Sequence, residues 1–525
     1  MAAKPPSSYR PDTEAPCTKG LWAGVFAAAA VLYLLTCQRG VSWQDSGMFQ
    51  WRCLTGDYTG RLGLALAHPL YIAAGRALCW MTGNHFAFAL NAFSGIGMAV
   101  ALANLAAAIA VVTGRRWPGL AAAAMLAVAH TVWWLSTVAE VYTWSLAGLM
   151  AELWLLVLLI HRPTWPKLTA LAFVSGLGLC LHNFALLPLP VYVAVAIWLM
   201  ARKRLPGWSL ATAAGAYLVG AGAYLGQIVE LAVRTGDAVG AVRSALVGNY
   251  ASAVLNVDAS GRHALANAAL TAMNFVSLLA PLAVVGWARF RRVLGGPTAV
   301  AVAAVTLIHA LFFVRYPVPD QFTFVLPTLA LIAFAAGVGL HVLVSRGRKW
   351  QRIAVIAAGV SIAVPPIFYA CAPALARSTG VAVRRQHQLP RDEMRYWLVP
   401  WKHDERSAER FAEAALEQAA PDGVIWPDST SRHPLLLAQR RDGVAAGVTI
   451  QGPDGPLPPY ADDPAAFREA LAGRPLYLVT MTKGYVTAGL LEDAEFTRPP
   501  GQILHRLERW GTAQDAPPGD RGAGE

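Results

Sequence analysis

Long apolar runs alternate with short basic clusters along the first 375 residues of the chain. The run LWAGVFAAAAVLYLLTC, which begins at Leu21, is one example, and further long runs follow it. A helix that crosses about 30 Å of hydrocarbon needs roughly 20 consecutive apolar residues. The pattern therefore predicts an α-helical polytopic membrane domain over residues 1–375.

The basic clusters set the predicted topology, because Lys and Arg concentrate in loops that stay in the cytoplasm. They are GRRWP at 114–118, HRPTWPK at 161–167, ARKR at 201–204, ARFRR at 288–292 and SRGRK at 345–349. With these clusters and the amino-terminal tail inside, the chain makes about eleven crossings and its carboxyl-terminal domain lies outside the cytoplasm. The high alanine and glycine content favours a bacterial plasma (inner) membrane.

The predicted crossings are 20–38, 86–113, 119–138, 141–160, two short ones within 168–200, 208–229, 265–288, 297–314, 320–344 and 350–373. The apolar segment 63–83 is interrupted by His68-Pro69 and Arg76, so it is predicted to lie along the outer surface or dip into it. For the first crossing an alternative stays open, because its Leu-Leu-Thr-Cys ending also resembles a lipoprotein signal peptide.

Residues 376–525 read as a soluble α/β domain. ERSAERFAEAALEQAA and RHPLLLAQRR predict helices, whereas DGVIWPD, VTIQG, RPLYLVTMT and PPGQILHRLERW predict strands. The final DAPPGDRGAGE has the composition of a disordered tail. We expect this domain to cover the outer site or to receive the acceptor.

Composition agrees with a membrane protein. The chain is 56% hydrophobic and 14% charged, whereas soluble domains carry about 25% charged residues. The net charge of +12 is accounted for by the cytoplasmic clusters, so no nucleic-acid partner is predicted. Cys53 and Cys79 both fall in the first outer loop, where a disulfide can persist, but two free thiols are the expectation.

Ionisable and polar residues collect in the predicted outer loops. They are Asp45, Arg52, Asp57, Arg61 and His68 in the first loop, Glu140 and Tyr142 in the second, His182 and Asn183 in the third, and Arg315 and Asp320 in a later one. Ionisable groups at membrane depth are costly, so several on one face predict a functional site. Several of these residues also have a simpler explanation. Asp45 can be a solvated loop residue, Glu140 can cap a helix, and Arg315 can pair with Asp320.

Four motifs carry a resemblance to a known family. DSGMF at 45–49, AHPLYIAAGRAL at 67–78, AEVYTWSL at 139–146 and GLGLCLHNFALLPLP at 176–190 follow one another in the expected order. They resemble membrane-embedded C-type (GT-C) glycosyltransferases, more narrowly the bacterial multispan family related to eukaryotic transmembrane protein O-mannosyltransferases. Met48 stands where that family typically has an acid, and a bare HPLY replaces a longer proline-glycine stretch.

The resemblance implies a reaction and a set of roles. The donor is mannose carried on a polyprenyl phosphate, whose lipid chain lies in the membrane. The acceptor is a hydroxyl of an exported protein or of a glycan. Asp45 is the implied base, and Glu140 orients the acceptor or helps to bind a cation. Phosphate-holding groups are Arg52, Arg61, Arg315, His68 and His182, and Tyr71, Tyr142, Asn183 and Asp320 complete the predicted substrate contacts.

No cofactor is certain, although Asp45 and Glu140 offer hard oxygen ligands that suit Mg²⁺ or Mn²⁺. Two other functions stay open. A non-catalytic assembly scaffold on the same fold would tolerate replacement of Asp45. A lipid or substrate transporter would show helices broken by Gly or Pro near the bilayer midplane, whereas here the polar residues gather at one face.

Overall fold

The computed structural model describes residues 18–256, 264–380, 391–452 and 455–511. The predicted disordered tail, 515–525, lies outside these residues. The contacts between residues group the chain into two compact units. The helical unit comprises Met1–Arg39, Arg52–Arg384 and Glu393–Asp404, and the α/β unit comprises Gly40–Trp51, Arg385–Asp392 and Glu405–Glu525. Most of the first predicted outer loop before Arg52 is thus grouped with the carboxyl-terminal residues.

The α-helices up to Leu398 follow the apolar runs. They are α1 Lys19–Thr36, α2 Gln44–Thr55, α3 Pro69–Thr82, α4 Phe86–Thr113, α5 Arg116–Ala127, α6 His130–Leu135, α7 Tyr142–His161, α8 Trp165–Leu181, α9 Leu189–Ala201, α10 Ser209–Gly220, α11 Gly222–Thr235, α12 Ala238–Leu246, α13 Ala251–Val254, α14 Ala264–Ala272, α15 Leu279–Trp287, α16 Phe290–Leu294, α17 Gly296–Arg315, α18 Leu326–Val344, α19 Arg348–Ser378 and α20 Glu393–Leu398. Short 3₁₀ turns lie at Leu64–Leu66, Gly83–His85, Asn183–Leu186, Gly248–Tyr250, Met273–Phe275 and Gln321–Thr323.

The described residues contain seven helical stretches long and apolar enough to cross a membrane: Lys19–Thr36, Pro69–Thr113, Tyr142–His161, Asn183–Ala201, Gly296–Arg315, Gln321–Val344 and Arg348–Ser378. The number is up to nine if two pairs, bent by 68° and 76°, each count as one span. The prediction of about eleven also counted α8, which has 17 residues, and 119–138, which is divided between α5 and α6. The prediction of a multi-pass membrane protein is confirmed.

Glycine permits one close helix pair in the helical unit. A Cβ atom at Gly339 of α18 would overlap the carbonyl of Leu282, and one at Gly286 of α15 would overlap that of Ala335. Small residues let apolar helices approach backbone to backbone in a membrane. Gly339, in the sequence GVGLHV at 337–342, therefore serves the packing of α18 against α15.

The α/β unit contains a five-stranded mixed sheet with the order β2-β1-β3-β5-β4. The strands are β1 Val424–Trp426, β2 Thr449–Ile450, β3 Leu476–Leu478, β4 Ala494–Thr497 and β5 His505–Trp510, and the helices are α21 Ser407–Gln418, α22 Arg432–Asp442, α23 Pro464–Leu471 and α24 Ala488–Asp493. β1 pairs in parallel with β2 and β3, whereas β5 is antiparallel to β3 and β4. The prediction of an α/β fold in the carboxyl-terminal part is confirmed, whereas the predicted domain bounds, 376–525, stay a prediction.

Candidate functional site

Two stacked histidines form the centre of the candidate site in the helical unit. His68 precedes α3 and His182 follows α8; their ring centroids are 5.3 Å apart, with an interplanar angle of 15°. Both side chains are buried. His68 has a left-handed backbone (φ 52°) directly before Pro69, a conformation that costs energy for a residue other than glycine. We call His68 and His182 the histidine pair.

Hydrogen bonds assign opposite tautomers to the histidine pair. His68 Nδ1 lies 2.6 Å from the Leu181 carbonyl oxygen, which can only accept, so Nδ1 carries the proton. His182 Nδ1 instead accepts the Phe184 N–H at 3.1 Å, so a neutral His182 carries its proton on Nε2.

Burial keeps the histidine pair neutral. It lowers the pKa of His182 to about 3. It also lowers the pKa of His68 well below 6.5, with further lowering by the neighbouring His182 and Arg52. At neutral pH the pair therefore presents an Nε2–H donor on His182 and an Nε2 acceptor on His68.

Arg52 of α2 lies beside this pair and is 3% exposed. Its guanidinium donates to three backbone oxygens: Nε to Asp57 at 3.1 Å, Nη1 to Leu66 at 2.8 Å and Nη2 to Ala67 at 2.7 Å. The Asp57 carboxylate lies 3.8 Å from Nε. Arg52 thus fixes the loop that leads to His68, and it brings a positive charge close to the histidine pair.

Glu140, just before α7, is 4% exposed and is held through its backbone. Its N–H donates to Ser94 Oγ of α4 at 2.8 Å, and Ser94 Oγ donates back to the Glu140 carbonyl at 3.2 Å. Tyr71, on α3, is buried and lies within electrostatic range of Glu140. The structure therefore brings together two predicted site residues, Tyr71 and Glu140.

An aromatic cluster continues from the histidine pair. The Tyr142 ring lies 5.3 Å from His182 and 5.5 Å from Phe324. Phe324 in turn lies 4.7 Å from Tyr316. Because Tyr316 and Phe324 flank the loop that carries Asp320, this loop shares one cluster with Tyr142 and Phe184.

The other predicted site residues of the helical unit have their own settings. Arg315 is exposed, and its Nε donates to the Asn256 carbonyl at 3.0 Å. Asp320 is half-buried and Arg61 is exposed. The Asn183 amide donates to the Ala245 carbonyl of α12 at 2.8 Å, so it ties the turn after His182 to that helix.

Asp45 lies in the α/β unit, in the first turn of α2, and its side chain is exposed. An acid is favourable at a helix amino terminus, where the helix dipole is positive. Gln44 immediately before it is left-handed, with φ 55°. The shared role of Asp45 and Glu140 stays a prediction.

The sequence assigned no cofactor with certainty and left a divalent cation at Asp45 and Glu140 open. Among the residues that the structure describes, no three His, Cys, Asp or Glu side chains converge as a ligand set.

Cys53 and Cys79 are both buried free thiols.

Glu152 is a buried acid that the sequence reasoning did not single out. It lies within α7, is 1% exposed, and accepts a hydrogen bond from Tyr192 Oη of α9 at 2.8 Å. It lines a cavity whose wall also includes Tyr142, Ser145 and Phe184. Its signal in the sequence was available: an acid inside an apolar run is rare and marks a functional candidate.

Comparison with solved structures identifies the fold. The chain is similar to the crystal structure of ArnT from Cupriavidus metallidurans bound to undecaprenyl phosphate, with a TM-score of 0.61 and 14% identity over 93% of this chain and 97% of that one. For the same protein in the apo state the TM-score is 0.58 and the identity 15%, over 93% of this chain and 97% of that one. The fold is therefore that of the C-type glycosyltransferases, as the sequence motifs predicted.

A more distant likeness joins the chain to an Archaeoglobus fulgidus oligosaccharyltransferase in complex with zinc and sulfate. Its TM-score is 0.44, with 13% identity over 86% of this chain and 67% of that one, which is too low to add to the assignment. No family model matches the chain. No curated protein sequence matches it significantly.

Proposed function

We propose that this chain is an integral-membrane glycosyltransferase. It transfers a sugar from a polyprenyl-phosphate donor to an acceptor hydroxyl at the outer face of the plasma membrane, with the amino terminus in the cytoplasm. The observation that carries the proposal is the fold likeness over 93% of the chain to ArnT, whose structure holds undecaprenyl phosphate. The motifs that contain Asp45 and Glu140 support mannose as the sugar and serine or threonine of an exported protein as the acceptor.

The proposed chemistry is an inverting displacement. Asp45 takes the proton from the acceptor hydroxyl while its oxygen forms a bond to the anomeric carbon of the sugar. The bond between that carbon and the phosphate oxygen breaks, and its electron pair leaves with the polyprenyl phosphate. An exposed carboxylate suits this role, because it can reach a large acceptor and return the proton to water.

The leaving phosphate gains negative charge and needs hydrogen-bond donors. His182 supplies one from its neutral Nε2–H, and the exposed guanidinium groups of Arg61 and Arg315 supply charge. Arg52 is engaged with backbone oxygens, so we assign it the task of holding the loop before His68. Glu140 orients the acceptor, and no step requires a cation.

The deciding experiment compares the wild type with Asp45→Asn in liposomes, with radiolabelled polyprenyl-phosphate mannose and exported protein as acceptor. Loss of a general base is expected to lower transfer by at least about a hundredfold. Asp237→Asn is the matched control. Asp237 is an exposed acid that caps α12 by accepting the Gly240 N–H at 2.8 Å, and asparagine caps equally well.

Equal transfer by the wild type and Asp45→Asn would remove Asp45 from the mechanism. If the wild type transfers no sugar from any of several lipid-linked donors, a non-catalytic assembly scaffold on the same fold becomes the preferred function. A transporter is the third candidate, because two helix pairs are bent by 68° and 76°. Movement of labelled lipid across the liposome bilayer without sugar transfer would support it.

A further inference from the structure

We infer that the loop 427–431 of the α/β unit is a built-in clamp that positions the helix carrying Asp45, and that Asp428 is its positioning residue. The inference rests on the proposed function, because the loop is inferred to position Asp45 for the proposed sugar transfer. It assigns the carboxyl-terminal unit a task other than covering the site. The segment 40–51, which carries Asp45, is called the Asp45 segment below.

The Asp45 segment is fastened to the α/β unit by buried contacts. Trp43 is 0% exposed, and its Nε1 donates to Ser407 Oγ at 2.8 Å. The same indole packs against Phe411, with ring centroids 5.2 Å apart, and the Arg391 guanidinium lies 5.2 Å above it. The Val41 N–H donates to Glu409 Oε1 at 3.3 Å. The segment is therefore part of this unit's core, not a loop lying on its surface.

The last attachment lies next to Asp45 itself. The backbone N–H of Gln44 donates to the Thr430 carbonyl at 3.1 Å. Gln44 has φ 55°, and a left-handed residue other than glycine persists only where its surroundings hold it. The Thr430 carbonyl is thus in a position to fix the direction in which α2 begins.

Sheet topology explains why the clamp is at this place. The chain runs from β1 through α22 to β2 on one side, and from β2 through α23 to β3 on the other side of β1. In open α/β sheets, ligands bind outside the carboxyl ends of the strands where the strand order reverses in this way. The loop 427–431 follows the carboxyl end of β1, so the edge that such sheets offer to a ligand here holds a segment of the same chain.

Asp428 determines the shape of this loop. It is 3% exposed, and its Oδ1 accepts from the Thr430 N–H at 3.1 Å, the Ser431 N–H at 2.7 Å and Ser431 Oγ at 2.6 Å. A carboxylate oxygen that accepts bonds from the two N–H groups two and three residues ahead fixes a turn. The orientation of the Thr430 carbonyl, and through it of Gln44, therefore depends on Asp428.

The test compares Asp428→Ala with Asp428→Asn and with a matched control, Asp463→Ala. Asparagine keeps the Oδ1 acceptor, so it is expected to restore the clamp. Asp463 occupies a similar turn before α23, where its Oδ1 accepts the Ala466 N–H at 2.9 Å. Asp463→Ala therefore shows how the loss of a hydrogen bond from an aspartate to the backbone, elsewhere in the same unit, affects hydrogen exchange and sugar transfer.

Two readouts are taken on the full-length proteins in detergent. In Asp428→Ala, amide hydrogen exchange of peptides within 40–51 is expected to speed up about tenfold, while β1 and β3 keep their wild-type exchange. Sugar transfer is expected to lose about 10- to 100-fold in kcat with KM for the lipid donor within about twofold, as for a misplaced base. Asp428→Asn and Asp463→Ala are expected to match the wild type in both.

Unchanged exchange in 40–51 would overturn the clamp, as would faster exchange over the whole unit, which indicates a merely structural role. Faster exchange confined to 40–51 with unchanged kcat would overturn positioning. If the wild type transfers no sugar, the proposed function fails separately. The exchange comparison then decides alone whether Asp428 holds the segment.

Discussion

Two left-handed residues other than glycine, Gln44 in the α/β unit and His68 in the helical unit, each belong to a segment that carries a predicted site residue. Gln44 precedes the exposed Asp45 and is held by one backbone hydrogen bond to Thr430. His68 is itself a candidate site residue, is buried, and is held through its own ring by Leu181. The first arrangement fixes the backbone and leaves the neighbouring side chain in solvent, whereas the second fixes the functional side chain.

The difference matches the chemistry proposed for each region. A base that serves a large acceptor must remain accessible and exchange protons. A donor to a leaving phosphate works best when it is rigid and keeps one protonation state, because a preorganised dipole needs no rearrangement during reaction. Three predictions test this contrast, in order of decreasing effect.

Arg52→Ala is expected to be the most damaging change. It removes a buried cation from three backbone oxygens, and hydrogen bonds to charged groups contribute about 1.5–3 kcal/mol each. The expected loss is at least about 3 kcal/mol, seen as a lower melting temperature in detergent. Arg61→Ala, in the same loop but exposed, is expected to stay within about 0.5 kcal/mol of the wild type. Equal melting of the two variants would refute the buried role of Arg52.

His182→Asn and His182→Gln separate the two ring nitrogens. The asparagine oxygen can replace Nδ1 as acceptor for Phe184 N–H but offers no group at the place of Nε2, whereas the glutamine amide can reach that place. Loss of a preorganised donor is expected to lower kcat by about a hundredfold in the asparagine variant, and glutamine is expected to retain more. If glutamine is as slow as asparagine in the transfer assay, the Nε2–H is not the donor.

Acid is expected to destabilise the helical unit through the histidine pair. The folded pKa of His182, about 3, lies below the unfolded value of about 6.5. Between these values the unfolded chain binds a proton that the folded chain does not. Stability is therefore complete above about pH 6.5 and falls as pH decreases toward 3, at up to about 1.4 kcal/mol per pH unit.

The measurement is thermal unfolding in detergent from pH 7 to pH 5. His182→Gln should show a flatter acid dependence than the wild type, while His85→Gln, at an exposed position, should follow the wild type. An identical slope in His182→Gln would show that this imidazole does not resist protonation in the folded state.

Local patterns predicted local structure well. The apolar stretch 168–200 was expected to break near His182, and α8 does end at Leu181, one residue before it. The strand pattern of RPLYLVTMT became β3. In contrast, β4 was not predicted, because its AEFT sequence is short, partly exposed and paired only with β5.

Long-range partners could not be predicted, since each depends on a residue far along the chain. The indole of Trp43, for example, is buried and donates to Ser407, 364 positions later in the chain. Nearby backbone partners were not predicted either: Arg52 was predicted to hold phosphate, yet its guanidinium donates to backbone oxygens that are 5, 14 and 15 positions away. Residue type indicated the chemistry of the site, whereas the division between exposed and buried members required the fold.

The bond between Glu152 and Tyr192 also bears on how the protein is made. The two residues are 40 positions apart, so at a synthesis rate of about 5–20 residues per second Glu152 is synthesised roughly 2–8 s before Tyr192. An ionised side chain at the centre of an inserting helix costs about 2.5–3.5 kcal/mol. The helix α7 is otherwise strongly apolar, with a mean hydropathy of 1.9. The membrane-insertion machinery must therefore release α7 into the bilayer before Glu152 has its hydrogen-bond partner, or retain α7 until α9 has been synthesised.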